Sequence, residues 1–142
     1  MSEKIEWASP AALGLAGFGL TTVLLNLHNA GLIAVPTTTF CLGFFYGGLI
    51  QLLAGIIEGK RGEIFGLTAF TSYGAFWIAL SLAMVLSWLG IAEVTATELG
   101  YAMFLWGLFT LYLVIFMDPA RTSFHRRRQL RIIQRQSAPT LS

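Results

Sequence analysis

An all-α integral membrane protein is the fold class this sequence predicts, on three observations. Apolar side chains make up 56% of the 142 residues and charged ones 11%, with a mean hydropathy of +0.71, far from the balance of a soluble domain. The apolar residues gather into four runs of about 20, the length that spans a bilayer as helix. All 9 Lys and Arg residues fall on one side of the topology that four crossings create.

The first span runs near residues 11–27, within "LGLAGFGLTTVLLNLHNAG". Pro10 stands at its start, where a missing N–H costs nothing, and Ser9 is a capping residue type. The preceding "MSEKIEW" balances Lys4 with two Glu and lacks the basic n-region and cleavage site of a secretory signal, so this span is expected to remain in the mature protein. The second span lies near 40–57, the third near 65–88 and the fourth near 99–117. Together residues 1–117 read as one transmembrane helical domain, and 118–142 as a basic cytoplasmic tail. Lys60 and Arg61 occupy the second loop, and Arg121, Arg126, Arg127, Arg128, Arg131 and Arg135 follow the fourth span. The first loop carries no charge, and the third only Glu93 and Glu98. By the positive-inside rule both termini are cytoplasmic.

Chemistry-bearing residues are sparse. Cys41 is the one cysteine, which excludes an internal disulfide framework, and without Cys or His neighbours it makes no metal site. His28, beside Asn29 and Gly31, reads as a structural or interfacial histidine. There is no HExxH, GxSxG or phosphate loop and no carboxylate pair within a span, so no enzyme, cofactor, metal or nucleic-acid partner is expected. Glu58 and Glu63 read as solvated charges near the cytoplasmic end.

Glycines mark packing. Gly43 and Gly47 form one GxxxG, Gly55 and Gly59 another, and four-residue steps through Gln51 place them on one stripe where helix backbones approach closely. Both packing within a subunit and an oligomer seam fit this stripe, and Gln51 would find a hydrogen-bond partner across either. On the third span Thr68, Ser72, Ala75 and Ala79 make a small-residue face, opposite the larger Tyr73, Trp77 and Leu80 with Gly66. On the first span Phe18, Thr22, Leu25 and Asn29 share a stripe, with Asn26 one turn after Thr22. Bare amides are costly in hydrocarbon, so Asn26 and Asn29 are expected to face protein or a water-filled path.

The stretch "SPAALGLAGFGLTTVLLNLHNAG", together with "FGLTAFTSYGAFW", "FYGGLIQLLAGIIEGKRG" and "LWGLFTLYL", closely resembles the acetate uptake transporter family, that of the bacterial succinate-acetate permease. These blocks cover most of residues 8–117. The resemblance implies a plasma-membrane transporter or channel for acetate and related short carboxylates such as succinate, with proton coupling. It also implies six helices per subunit, of which this chain holds the first four, and a homo-oligomer, a hexamer in the family. A hydrophobic constriction of Phe, Tyr and Leu is implied in each subunit. Phe18 of "GFG" and Tyr73 of "TSYG" match the first two. Thr22, Asn26, Asn29 and Ser72 are then candidates to line the pathway with polar groups that replace part of a carboxylate's hydration.

Two departures stand out. Ser9 and Ala12 replace the family's Asn and second Pro. Beyond "LYLVIFMDPAR" the family continues into two further spans, one carrying the constriction Leu, whereas this sequence becomes "TSFHRRRQLRIIQRQSAPTLS", with no apolar run of spanning length. The expectation is a truncated or frame-shifted product. Two other functions stay open: a channel for a neutral solute such as urea, ammonia or water, and a membrane subunit that assembles with others without transporting.

Overall fold

A computed structural model of the chain describes residues 7–34 and 36–117. Among them four helices are long and apolar enough to cross a membrane: α1 (Ala11–Asn29), α2 (Thr37–Arg61), α3 (Ile64–Trp88) and α4 (Ala96–Phe116). The described residues contain no strand. In hydrocarbon only structures that satisfy every backbone group internally persist, and four helices meet that demand. The tail at 118–142 lies outside the described residues.

Capping residues, not hydropathy, set the helix ends, so several helices overrun the apolar stretches. Gly31, Gly62 and Gly90 adopt positive φ of 77°, 78° and 70°. After α2, Gly62 N–H donates to the Gly59 carbonyl and Glu63 N–H to that of Glu58, the paired pattern of a left-handed C-terminal cap. The same pattern closes α1 at Gly31 and α3 at Gly90. At the start of α4 the Thr95 hydroxyl accepts from Glu98 N–H at 3.1 Å, as Thr-x-x-Glu spacing favours.

Helix α2 is not α-helical throughout. Its Gly43–Ile50 segment, GFFYGGLI, is a π-helix, a wider winding that is rare and concentrates at functional sites. Gly43, Gly47 and Gly48, all buried, bring neighbours onto this turn: a Cβ at Gly48 would fall 2.6 Å from Ile78 Cγ1.

α2 and α3 pack antiparallel along their lengths, with the most extensive contact between the Gln51–Arg61 half of α2 and α3. Gly43 meets Ser81 and Trp77, Gly47 meets Trp77, Gly55 meets Thr71 and Gly59 meets Leu67. α1 completes this three-helix unit, with Gly14 against Phe70, Gly17 against the Tyr46 carbonyl and Thr21 against Gly47. The GxxxG stripe is therefore occupied from within the chain. On α3 the buried residues are Gly66, Ala69, Phe70, Gly74, Trp77, Leu80 and Ser81, while Ala75 and Ala79 are exposed. Tight packing thus falls on the face with large residues, because Gly66 and Gly74 let α2 approach there.

The interior is unlike that of a soluble domain. Thr21, Thr39, Gln51, Glu58 and Ser81 are buried while Leu15, Leu20 and Val23 of α1 are more than half exposed. Many apolar side chains lie on the outside of the described helices, and polar side chains gather between them, the distribution of a protein whose surroundings are apolar. Along α4, Trp106, Phe109, Tyr112 and Phe116 form a ladder with successive ring centroids 5.5, 6.3 and 5.6 Å apart.

Candidate functional site

Phe18 and Tyr73 meet between α1 and α3. Their ring centroids lie 5.0 Å apart with planes at 61°, an edge-to-face arrangement worth about 0.5–1.5 kcal/mol beyond burial. Glycines on both helices make the approach possible. Gly17, beside Phe18, lies against the Tyr46 carbonyl, where a Cβ would come within 2.7 Å. Gly74, beside Tyr73, lies against α2, where a Cβ would come 2.7 Å from Leu52 N and 2.9 Å from the Gly48 carbonyl. The rings are thus seated by backbone contacts that no larger residue permits.

Around the pair the hydroxyls of α1 turn inward on their own helix. Thr21 Oγ1 donates to the Gly17 carbonyl at 2.6 Å and lies 3.1 Å from that of Phe18, and Thr22 donates to the Phe18 carbonyl at 2.7 Å. Such bonds to the residue four back bend a helix slightly. Thr22 and Ser72 are half-buried. Asn26 donates through Nδ2 to the Thr22 carbonyl at 2.8 Å, and both Asn26 and Asn29 are exposed on the surface of the described chain. Among the described residues neither amide packs against protein, the first of the two expected surroundings, and their exposure is compatible with the second, a water-filled path. Asn26 instead satisfies part of its amide within α1. His28 Nδ1 lies 2.7 Å from the Ile33 carbonyl, which accepts, so Nδ1 carries the proton and the ring ties the helix end to the loop.

Two residues behave otherwise than their sequence context suggests. Gln51 is 1% exposed, its Cβ 3.8 Å from the Cβ position of Gly17, level with the aromatic pair. Among the described residues its Oε1 has no hydrogen-bond partner, and neither have Trp77 Nε1 and Ser81 Oγ. The partner expected for Gln51 across the glycine stripe is absent at that oxygen, because glycine supplies close approach without donors. Glu58 is 3% exposed and not a solvated charge. It accepts from Ser9 Oγ at 3.1 Å, and its Oε2 lies 3.5 Å from Arg61 Nε. Glu63 is exposed, as expected of a loop carboxylate. The described residues hold no cluster of His, Cys, Asp or Glu that could bind a metal ion.

A sequence profile described as the GPR1/FUN34/yaaH family matches residues 1–125. The chain belongs to that family. Among its GPR1/FUN34/yaaH relatives, the succinate-acetate/proton symporter SatP of Escherichia coli (strain K12) is 50% identical over 107 residues, 75% of this chain and 57% of the symporter. Acetate permease A of Emericella nidulans is 40% identical over 114 residues, 79% of this chain and 38% of the permease. A solved structure of the bacterial acetate channel SatP superposes with a TM-score of 0.73 at 50% identity, covering 76% of this chain and 60% of that one. The chain thus matches less than two thirds of the length of these relatives. Membership in this family, with four long apolar helices, makes it a multi-pass membrane protein.

Proposed function

We propose that the chain carries acetate and related short carboxylates across the plasma membrane, with the Phe18–Tyr73 pair forming two sides of the narrowest part of the path. The observation that carries this reading is the edge-to-face contact itself: two residues 55 positions apart in sequence meet on helices that also seat Gly17 and Gly74 against α2. It is supported by 50% identity to a succinate-acetate/proton symporter and a 0.73 TM-score to an acetate channel. A dry aromatic constriction excludes hydrated ions, while hydroxyls on either side replace part of a solute's hydration. Thr22, Ser72 and the buried Gln51 supply such groups, and Asn26 and Asn29 stand toward the far end of α1. No buried carboxylate or ammonium lies beside the rings among the described residues, so a carboxylate meets no full charge there and is not trapped.

The transported species in this reading includes a proton, carried with the anion or as the neutral acid. Both termini are cytoplasmic, since Lys60 and Arg61 mark the inner side, and the chain works within a homo-oligomer. The test is uptake of labelled acetate into proteoliposomes containing the purified chain, beside labelled urea. Acetate uptake that a pH gradient accelerates supports the reading. Uptake of urea in place of acetate makes this a neutral-solute channel, and uptake of neither makes it a non-transporting subunit.

A further inference from the structure

We propose that Glu58 is a positioning residue for the aromatic pair: its carboxylate latches the start of α1 to the junction of α2 and α3, and so sets where Phe18 stands against Tyr73. The proposal rests on reading that pair as the constriction, and its test separates the two.

Among the four described glutamates Glu58 is buried, whereas Glu63, Glu93 and Glu98 are exposed. It lies in a notch that α3 provides by having no side chain at Gly66, where a Cβ would fall 2.7 Å from Glu58 Cγ and 3.2 Å from Cδ. From this notch the carboxylate reaches two ways. Oε1 accepts the Ser9 hydroxyl at 3.1 Å, and Oε2 holds Arg61, with Nε at 3.5 Å. Arg61 in turn donates through Nη1 to the Trp7 carbonyl, and Lys60 Nζ sits 4.6 Å from the centre of the Trp7 ring. Three contacts, from Glu58, Lys60 and Arg61, therefore join Trp7 and Ser9 to the last turn of α2. Pro10, buried, then leads directly into α1 at Ala11, and its ring restrains the backbone torsion through which the latch acts.

The rest of α1 is held differently. Gly14 and Gly17 allow close approach to Phe70 and the Tyr46 carbonyl, and Thr21, Thr22 and Asn26 spend the hydrogen bonds described above on α1 itself. Bare backbone against a neighbour fixes separation but gives little resistance to sliding along the helix axis. Directional bonds at Ser9 and Trp7 supply that resistance. Phe18 stands seven residues after Ala11, about 10 Å along the axis, so axial slip at the latch is transmitted to the ring. Burying a charged pair is a poor way to gain stability alone, and its best-attested use is to fix registry.

The test uses the chain in membranes, with Cys41→Ser and cysteines in place of Phe18 and Tyr73, and measures cross-linking by a short bifunctional thiol reagent. Ser9→Ala removes the hydroxyl while leaving Glu58 and Arg61 paired, and is expected to slow cross-linking roughly tenfold, the factor of one hydrogen bond to a charged group. Glu58→Ala is expected to slow it at least as much. Ser9→Thr, which restores the hydroxyl, should return the rate to near that of the parent. Cross-linking of Ser9→Ala at the parent rate overturns the proposal, and so does equal slowing by Ser9→Thr. Ser9 is exposed, so the decisive variant folds even where Glu58→Ala does not. The readout needs no solute: if the latch moves the pair while Phe18→Ala leaves acetate flux unchanged, the constriction reading fails and the positioning role stands.

Discussion

Phe18 of α1 presents its ring edge-to-face with Tyr73 of α3, 5.0 Å between centroids. Neither ring comes from α2, yet α2 determines the contact. Its Tyr46 carbonyl receives Gly17, and its Gly48 carbonyl and Leu52 amide receive Gly74, so the π-helical segment and the start of the α-helical half after it form the seat on which both rings are mounted. A π segment at this place has a mechanical reading, because it offsets the two halves of α2. The Gly43 and Gly47 half faces Trp77 and Ser81, and the Gly55 and Gly59 half faces Thr71 and Leu67.

Removing one ring tests what the contact does. Phe18→Ala is expected to cost about 0.5–1.5 kcal/mol of stability through the lost pair, and to raise uptake of labelled acetate while admitting bulkier carboxylates. Phe18→Tyr keeps the ring and should leave selectivity as in the parent. Proteoliposome flux measured beside thermal unfolding in detergent checks both, and unchanged flux in Phe18→Ala makes the pair ordinary helix packing.

Much of this arrangement can be read from the sequence. Four apolar runs announce four helices because bilayer thickness fixes their length, and the family resemblance that "GFG" and "TSYG" help to carry singles out Phe18 and Tyr73. The π segment has no such signature, since GFFYGGLI is compatible with ordinary helix. Glu58 was hidden for a different reason. Its position beside Lys60 and Arg61 looks like a solvated helix end, and only the notch at Gly66, eight residues later and on another helix, makes room to bury it. The bond of Asn26 to the Thr22 carbonyl has no sequence signature either, because any side-chain amide on a helix can reach the carbonyl four residues back.

The glycines should differ in tolerance according to what each one meets. Gly74→Ala sets a methyl against backbone atoms of Leu52 and Gly48 at 2.7 and 2.9 Å, and overpacking of this kind costs about 1–3 kcal/mol. Gly47→Leu should be worse, since even its Cβ falls 2.8 Å from Thr21 Oγ1 and 3.0 Å from Trp77 Cγ. Gly100→Ala meets nothing within 4 Å and should gain helix propensity of up to about 1 kcal/mol. Unfolding midpoints in one detergent rank the three, and equal values for Gly74→Ala and Gly100→Ala contradict the seat.

Topology is checked at two exposed positions, one between α2 and α3 and one in the first turn of α4. With Cys41→Ser as background, a cysteine replacing Glu63 should resist an impermeant maleimide in intact cells and react after lysis, whereas one replacing Thr97 should react at once. Lys60 and Arg61 beside the first position are the reason for the inner assignment. Labelling of position 63 from outside inverts it.

Gln51 offers the sharpest separation of structure from function. Its oxygen is buried without a donor among the described residues, level with the aromatic pair, and leaving such an acceptor unpaired costs about 1–3 kcal/mol. Nothing in the packing explains why an amide stands where methionine would fill similar space on the same helix. Gln51→Met is therefore expected to raise the unfolding midpoint. If the amide serves a solute passing the rings, the same change lowers acetate uptake, so stability and flux move in opposite directions, as they do where a functional group is kept at the expense of the fold. A fall in both would mean that the amide already holds the helices together, and a rise in stability with unchanged uptake would remove Gln51 from the path.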